Sequence, residues 1–310
     1  MNITLHQLKI FSVIVEKKSI TKASEVLNMT QPAVSIQLKK LQDQFDIPLT
    51  EVIGRQLYIT DFGNELYRLG EKVLAEMVTI HYKALAYKGI LSGKLRLSVV
   101  STGKYVLPYF LSGFLKANPA VEVRVDVTNR SKVIQSLEDN EVDLSLVSVL
   151  PSQLQVMEEI IMPNRWYLVA PKDYPIASQR TLDKSVFGNI PLIFREEGSG
   201  TRHMMQEYFS RANVRPKLSL ELAGDEAVKQ AVIAGLGFSI LSILTLKNEL
   251  KQKEVKIVPI KGLPLRSSWR LIWLKRKKPT IVAQAYLDYV RREKGVIYKR
   301  HFSWIGESVH

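Results

Sequence analysis

The chain has 310 residues, of which 46% are hydrophobic and 24% are charged, and this composition suits two or three soluble domains. It has no cysteine and five scattered histidines, which excludes disulfides and thiolate sites and predicts no metal centre and no cofactor. No apolar run approaches the roughly 20 residues of a membrane span, and no secretion signal opens the sequence, so we expect a cytoplasmic protein that binds no membrane.

The excess of positive charge is unevenly distributed along the chain. The net charge is +14, yet residues 1–60 hold seven Lys/Arg and five Asp/Glu, a net of only +2. Residues 247–300 hold sixteen Lys/Arg and four Asp/Glu, a net of +12. This basic segment is either an ordinary solvated surface or a second contact with nucleic acid or an acidic partner, and the sequence leaves both interpretations open.

Two short helices are predicted before residue 28. The first has apolar residues at helical spacing, namely Leu5, Leu8, Phe11 and Val15. Ser19 suits the N-cap of the second helix, whose inner face would consist of Ala23, Val26 and Leu27. Asn28 and Met29 predict a tight turn, and Thr30 can cap a third helix that tolerates Pro32 in its first turn.

The third helix is predicted to have one apolar face and one polar face. Val34, Leu38 and Leu41 must pack inward, whereas a second face carries Gln31, Ser35, Lys39 and Gln42. Such a helix fits the major groove of B-DNA, and amide, hydroxyl and ammonium groups suit base edges and phosphates. Two helices joined by a short turn, the second polar outside, form a helix-turn-helix. The alternative is a small helical bundle with a solvated face.

A wing and a long helix are predicted next. Leu57 and Ile59 alternate with polar residues after the turn at residues 54–56, which predicts a short hairpin with Arg55 near its tip, able to enter a minor groove. Residues 60–89 then predict one helix with an apolar stripe: Leu66, Leu69, Val73, Met77, Ile80, Ala84 and Tyr87. We expect this stripe to pair with a second copy of the chain, because a sixty-residue domain cannot cover it.

Strands and helices alternate from residue 93 onward, which predicts a mostly parallel sheet with helices on both faces. A strand, a small-residue loop and a helix follow one another in residues 97–114 and again in residues 192–209. The segment of residues 162–171 is expected to cross between the two halves. Two α/β subdomains with a cleft between them are therefore predicted.

Loops at strand ends predict an anion site in that cleft. Helix N-termini offer free amide donors to an anion, and in open α/β sheets ligands bind at the carboxyl ends of strands. Arg195 and Arg202 flank the glycine-containing loop, while Asp225 and Glu226 are expected to cap a later helix. The alternative is ordinary helix capping. The predicted effector-binding residues are Ser101, Thr102, Asn129, Arg130, Ser148, Gly200 and Thr201.

The first ninety residues resemble the LysR-type transcriptional regulators. The resemblance rests on LHQLKIFSVIVEKKSITKASEVLNMTQPAVSIQLKKLQ, then IPL, GRQLYIT and a long helix, in an order of elements that fits nearly the whole chain. The positions that contact DNA in the family correspond here to Gln31, Pro32, Ser35 and Lys39. The chain departs from the family at residues 50–53, which lack the usual aromatic and basic residues, and at Ile36, where an arginine is frequent.

This resemblance implies a fold class, domain bounds and partners. The fold is a winged helix-turn-helix with a linker helix, followed by a periplasmic-binding-protein-like α/β effector domain. The expected domains are residues 1–60, 61–92 and 93–295, with a basic C-terminal tail of residues 296–310. The implied partners are an inverted-repeat operator in double-stranded DNA, a small anion, RNA polymerase and further copies of the chain, as a homodimer or homotetramer.

The segments STGKYVLPYF, VTNRSKV and FREEGSGTR resemble most the LysR regulators of carbon-fixation operons. That resemblance implies a phosphorylated or dinucleotide metabolite as effector. The competing hypotheses are an enzyme or a solute-binding protein without a role at DNA. The sequence shows no nucleotide-binding glycine signature and no Ser/His/Asp or Cys/His constellation, and residues 1–90 have no use in a solute-binding protein.

Overall fold

The computed structural model describes residues 2–54, 56–174 and 181–307 of the chain. Internal contacts divide the chain into two compact units, Met1–Ile90 and Leu91–His310. Among the helices of these described residues, none combines the length and the apolar composition that crossing a bilayer requires.

The N-terminal unit begins with three helices, α1 (Leu5–Lys17), α2 (Ile20–Leu27) and α3 (Gln31–Gln42). The predicted caps are confirmed: Ser19 Oγ accepts a hydrogen bond from the Lys22 amide, and Thr30 Oγ1 accepts one from the Ala33 amide. Leu5 and Val26 were predicted inside but are exposed, because they lie in terminal turns that the core does not cover. The buried core residues are Ile10, Phe11, Ile14, Val15, Ala23, Val34, Leu38, Leu41 and Leu49.

The predicted wing is an antiparallel hairpin of β1 (Thr50–Ile53) and β2 (Gln56–Ile59). Arg55, predicted at its tip, lies outside the described residues. The two ends of the hairpin are held together by a hydrogen bond of 2.6 Å from Thr60 Oγ1 to the Pro48 carbonyl. The same oxygen accepts the Gly63 amide and so caps the next helix.

Helix α4 (Asp61–Tyr87) is the predicted long helix. Gly63 is required near its start, because a Cβ at this position would lie 2.1 Å from the Leu49 carbonyl oxygen. The first turns pack on the core through Phe62 and Leu66. Farther along, the apolar stripe lies on the surface of the N-terminal unit, with exposed Leu69, Val73, Met77, Ile80 and Tyr87.

The C-terminal unit combines eight-residue parallel strands with long crossing strands. Its strands are β3 (Gly93–Val100), β4 (Val121–Thr128), β5 (Leu144–Val147), β6 (Val156–Pro171), β7 (Leu192–Arg195), β8 (Leu218–Leu222), β9 (Ser239–Ser242), β10 (Val255–Val258) and β11 (Leu265–Leu274). Its helices are α5 (Leu107–Ala117), α6 (Arg130–Glu138), α7 (Gly200–Ala212), α8 (Asp225–Ile233), α9 (Lys247–Lys251), α10 (Ile281–His301) and α11 (Trp304–Glu307).

These strands build two halves that follow the predicted duplicated plan. The first half is β3–α5–β4–α6–β5, and the second is β7–α7–β8–α8–β9. Strand β6 pairs with β11, which itself pairs with β5 of the first half. It also pairs with β9 and β10 in the second half, so it crosses between the halves as expected. Separate apolar cores lie in the first half, around Phe110 and Leu146, and in the second, around Phe209 and Val228.

Two expectations about this unit are corrected. The sheet is mixed rather than mostly parallel, because the long strands β6 and β11 run antiparallel to their neighbours. The segment predicted as a basic tail past the last helix begins inside α10. Its apolar side chains Ile297, Phe302 and Ile305 are buried in the core of the first half, so helical packing extends beyond residue 296.

Candidate functional site

Helix α3 presents one buried face and one free face. Val34, Leu38 and Leu41 are buried, as the spacing predicted. Gln31, Pro32 and Lys39 are exposed, and Ser35 is half-buried in a shallow groove beside the helix. The exposed polar groups of Gln31 and Lys39 are accessible to a binding partner. Their contact with DNA remains a prediction.

Gln42 does not belong to the free polar face. Its Nε2 donates a hydrogen bond of 3.0 Å to the Ile47 carbonyl, and its Oε1 accepts the Leu49 amide. Both hydrogen-bonding groups of the amide are therefore occupied by the chain between α3 and the wing. The helical spacing assigned Gln42 to the outer face, but spacing cannot reveal a backbone partner in the following loop.

In the C-terminal unit, the seven predicted effector-binding residues line one cavity. The cavity volume is about 10 Å³, which is room for about one water molecule. Val100, Val149, Arg195 and Ser199 complete the lining. The structure thus brings together all seven predicted residues: Ser101, Thr102, Asn129, Arg130, Ser148, Gly200 and Thr201.

Strand ends and helix starts explain why these residues meet. Strands β3, β4 and β5 are neighbours in parallel, so the residues that follow them share one edge of the sheet. Helix α6 starts there with Asn129 as its N-cap, and α7 starts there from the other half with Ser199 as its N-cap. Two helix N-termini therefore converge on the cavity, and each contributes partial positive charge. In α6 the Ser131 and Lys132 amides already bond to the Gly198 carbonyl and to Asn129 Oδ1.

Three buried residues of the cavity lining have hydroxyls without a hydrogen-bond partner within the described part of the chain. Thr102, Ser148 and Thr201 are 8%, 6% and 5% exposed, and none of their side chains is paired within residues 2–54, 56–174 and 181–307. Buried polar groups are usually satisfied by protein or water. These hydroxyls are thus available to a bound molecule.

Arg130 is a cation at the cavity without a carboxylate partner among the described residues. Its Nη2 donates a hydrogen bond of 3.0 Å to the Leu150 carbonyl, while its buried Nε has no partner there. Burial lowers the pKa of this guanidinium from its ordinary value, since no nearby acid compensates. An anion in the cavity would supply the missing charge and acceptor.

Arg195 has a different role from Arg130. It is 2% exposed and forms ion pairs with Glu196, at 2.7 Å, and with the equally buried Asp225. Burial alone would lower the pKa of Arg195, but hydrogen bonds and charge from Glu196 and Asp225 outweigh it, so the pKa is raised. Arg202 is likewise paired with Glu221, at 2.5 Å, and both arginines are therefore engaged within the protein.

The expectation that Asp225 caps α8 is wrong. Gly224 is the N-cap residue, and no side chain caps the helix. Asp225 instead accepts hydrogen bonds from Arg195 and from Ser101 Oγ, and Glu226 pairs with Lys229 at 2.9 Å. No sequence pattern points to this cluster, because its members come from three separate segments of the chain.

Comparison with known proteins identifies the family. Residues 5–64 match the bacterial regulatory helix-turn-helix protein of the lysR family, and residues 88–295 match the LysR substrate binding domain. The chain belongs to the LysR family. It is a transcriptional regulator with a helix-turn-helix DNA-binding domain and an effector-binding domain, and the predicted fold class is confirmed.

LysR regulators of carbon fixation are among the similar proteins. The RuBisCO operon transcriptional regulator of Allochromatium vinosum is 33% identical over 300 residues, which cover 97% of this chain and 99% of that protein. The HTH-type transcriptional activator CmpR of Synechocystis sp. is 34% identical over 289 residues, covering 93% and 95%. The resemblance to carbon-fixation operon regulators is therefore confirmed.

Solved structures of LysR proteins share the fold. The regulatory domain of Synechocystis PCC6803 CcmR in complex with 2-PG has a TM-score of 0.63 and 33% identity, covering 66% of this chain and 98% of that one. Full-length CbnR complexed with its target DNA has a TM-score of 0.64 and 19% identity, covering 94% and 99%, which shows the shared fold.

Proposed function

We propose that this LysR regulator binds a small anionic metabolite in the cavity lined by Thr102, Arg130 and Thr201. The observation that carries the proposal is the convergence of two helix N-termini, unpaired hydroxyls and an uncompensated arginine on one cavity. Helix N-termini favour anions, and arginine binds carboxylate or phosphate through charge-assisted hydrogen bonds. Ordinary helix capping accounts for Asn129 and Ser199 but gives the threonine hydroxyls no partner.

The proposed ligand carries a carboxylate, a phosphate or both. The 2-PG complex of the related CcmR regulatory domain supports this class. The cavity of about 10 Å³ is smaller than such a molecule, so the proposal requires the cavity to open when the ligand enters. A ligand that binds the opened state shifts the population toward it, and this shift is the proposed signal to the DNA-binding domain.

For DNA recognition we propose helix α3 as the reader of the major groove. Gln31, Pro32, Ser35 and Lys39 are the proposed contacts, with Arg55 of the wing in the minor groove. Exposure of Gln31, Pro32 and Lys39 beside a fully packed opposite face supports this assignment. At a promoter the regulator would act on RNA polymerase. Because its proposed partner is chromosomal DNA, we propose that it works in the cytoplasm.

We propose that the exposed stripe of α4 pairs with the same helix of a second copy. Leu69, Val73 and Ile80 are exposed on a helix of 27 residues, and a contiguous apolar stripe of this length is typical of an interface. A dimer would present two recognition helices to an inverted repeat. Two dimers would complete the proposed tetramer.

Differential scanning fluorimetry of the full-length protein tests the anion site. The probes are 2-phosphoglycolate and inorganic phosphate, with ethylene glycol as an uncharged comparison. We expect 2-phosphoglycolate to raise the unfolding temperature in a concentration-dependent manner, because a ligand that binds only the folded state stabilises it. Ethylene glycol at equal concentration should have no effect.

Variants locate the bound anion. Thr102→Val with Thr201→Val removes two hydroxyls without changing the side-chain shape, and the 2-phosphoglycolate-dependent rise should disappear. Thr245→Val is the matched control, since this buried hydroxyl bonds to the Ser242 carbonyl away from the cavity. A rise that survives in the double variant, or disappears in the control, contradicts the proposed site.

A further inference from the structure

The exposed face of helix α3 carries an apolar residue. Ile36 is 53% exposed, while Val34, Leu38 and Leu41 on the opposite side of the helix are buried. At 3.6 residues per turn, a residue two positions from both Val34 and Leu38 points away from the core. Ile36 therefore lies at the centre of the free face, where Ser35 is half-buried and nearer its edge.

Packing among the described residues of the N-terminal unit does not explain this position. Within the described residues, Ile36 belongs neither to the buried core nor to the apolar side chains packed against it. A single exposed apolar residue is unremarkable on a protein surface. Its place matters here, because Ile36 stands between the exposed Pro32 and the two exposed cations Lys39 and Lys40. Neither lysine has an ion pair within the described part of the chain.

The major groove of DNA offers one apolar group, the C5-methyl of thymine. An isoleucine side chain has no hydrogen-bond donor or acceptor, so it cannot distinguish the polar edges of bases. Lysine ammonium groups on either side suit phosphates, which position a helix without reading sequence. The DNA contacts predicted for α3 from helical spacing therefore assign no function to Ile36, which lies at the centre of its exposed face.

We propose that Ile36 determines sequence specificity by packing against thymine methyl groups in the operator. This inference rests on the proposed role of α3 as the recognition helix. It adds that part of the readout is apolar and depends on methyl groups rather than on hydrogen bonds. Thymine and uracil differ only by that methyl group, so replacing one with the other isolates the contact.

The experiment selects binding sites for the full-length wild-type protein from a randomised duplex library. One library contains thymine and a matched library contains deoxyuridine in its place. We expect the thymine library to yield a consensus with at least one preferred thymine per half-site, and that preference to vanish in the deoxyuridine library. Consensus positions read by hydrogen bonds should persist in both.

Affinity measurements then connect the effect to Ile36. In fluorescence anisotropy at fixed salt, replacing the consensus thymine with deoxyuridine should weaken wild-type binding about fourfold per methyl group, the equivalent of leaving one methyl carbon unburied. Ile36→Ala should bind both duplexes equally. Val26→Ala is the matched control, because Val26 is 54% exposed on α2, and it should retain the wild-type discrimination.

The outcomes separate this inference from the proposed function. If the wild-type protein selects a consensus but tolerates deoxyuridine at every thymine, the methyl readout is wrong and the recognition helix stands. Equal discrimination by Ile36→Ala and the wild type also overturns the role of Ile36. If no consensus emerges from either library, the proposed recognition by α3 fails as well. The deoxyuridine comparison uses the wild type and so does not depend on any variant folding.

Discussion

Ser101 Oγ donates a hydrogen bond of 3.0 Å to Asp225 Oδ2, across 124 positions of sequence. Ser101 follows β3 in the first half of the C-terminal unit, and Asp225 begins α8 in the second half. Arg195 joins both, since its Nη2 donates to Ser101 Oγ at 3.2 Å and its Nη1 pairs with Asp225. The two halves are therefore tied together by a buried polar cluster at the edge of the cavity.

Removing the charge of Asp225 should destabilise this cluster. Asp225→Asn leaves the buried Arg195 with Glu196 alone, and breaking a buried ion pair costs roughly 3–5 kcal/mol. Chemical denaturation should report a loss near the lower end of this range, because Glu196 still compensates part of the charge. The control is Glu197→Gln, whose side chain is 84% exposed and pairs with Arg202 at 3.5 Å. It should cost less than about 1 kcal/mol, and an equal loss in both variants would refute a special role for the buried cluster.

The Arg195–Glu196 pair should make stability depend on pH. Burial would raise the pKa of Glu196, but the hydrogen bond and charge of Arg195 outweigh burial and hold that pKa below the usual carboxyl range. A depressed pKa adds stability above the unfolded-state pKa of about 4.3, and this contribution disappears as the pH falls through the folded-state pKa. The stability difference between the wild type and Glu196→Gln should shrink below about pH 4 in thermal melts. A difference independent of pH would show that Arg195 does not stabilise the ionised carboxylate.

Substitution of Gln42 should lower stability, whereas substitution of Gln31 should weaken DNA binding. Gln42→Ala removes both hydrogen bonds to the backbone of residues 47–49, a loss of about 1–2 kcal/mol. Hydrogen–deuterium exchange should show faster exchange of the Leu49 amide in this variant. Gln31→Ala should leave that exchange unchanged and weaken specific DNA binding by roughly 1–3 kcal/mol. If Gln42→Ala leaves the Leu49 amide as protected as in the wild type, the structural role of this glutamine is wrong.

The exposed stripe of α4 predicts how the chain associates. Ile80→Lys places a charge at a position that is 58% exposed in the single chain and should shift analytical ultracentrifugation profiles toward monomer, because burying an unpaired ammonium at an interface is costly. Ala75→Lys lies on the other side of the same helix and should leave the association unchanged. A dimer that tolerates Ile80→Lys would place the contact elsewhere.

Local sequence patterns correctly predicted the helix-turn-helix. The caps at Ser19 and Thr30, and the inward stripe of Val34, Leu38 and Leu41, follow from hydrogen bonding and periodicity within one or two turns. The cavity could also be foreseen, because residues after neighbouring parallel strands must meet at one sheet edge. For that reason the sequence alone predicts that Thr102, Arg130 and Thr201 lie together, and all three line the cavity.

Contacts between distant segments could not be foreseen in this way. The spacing placed Gln42 on the outer face and made Asp225 a helix cap, whereas a loop backbone and the guanidinium of Arg195 are their actual partners. The same limit applies to the mixed direction of the sheet and to the burial of Phe302 and Ile305. The sequence by itself determined the helix-turn-helix with its caps at Ser19 and Thr30, because periodicity and capping act over a few residues. Only the tertiary structure decided which polar groups are occupied and which are free, because a buried hydrogen bond or ion pair depends on what another part of the chain brings within about 3 Å.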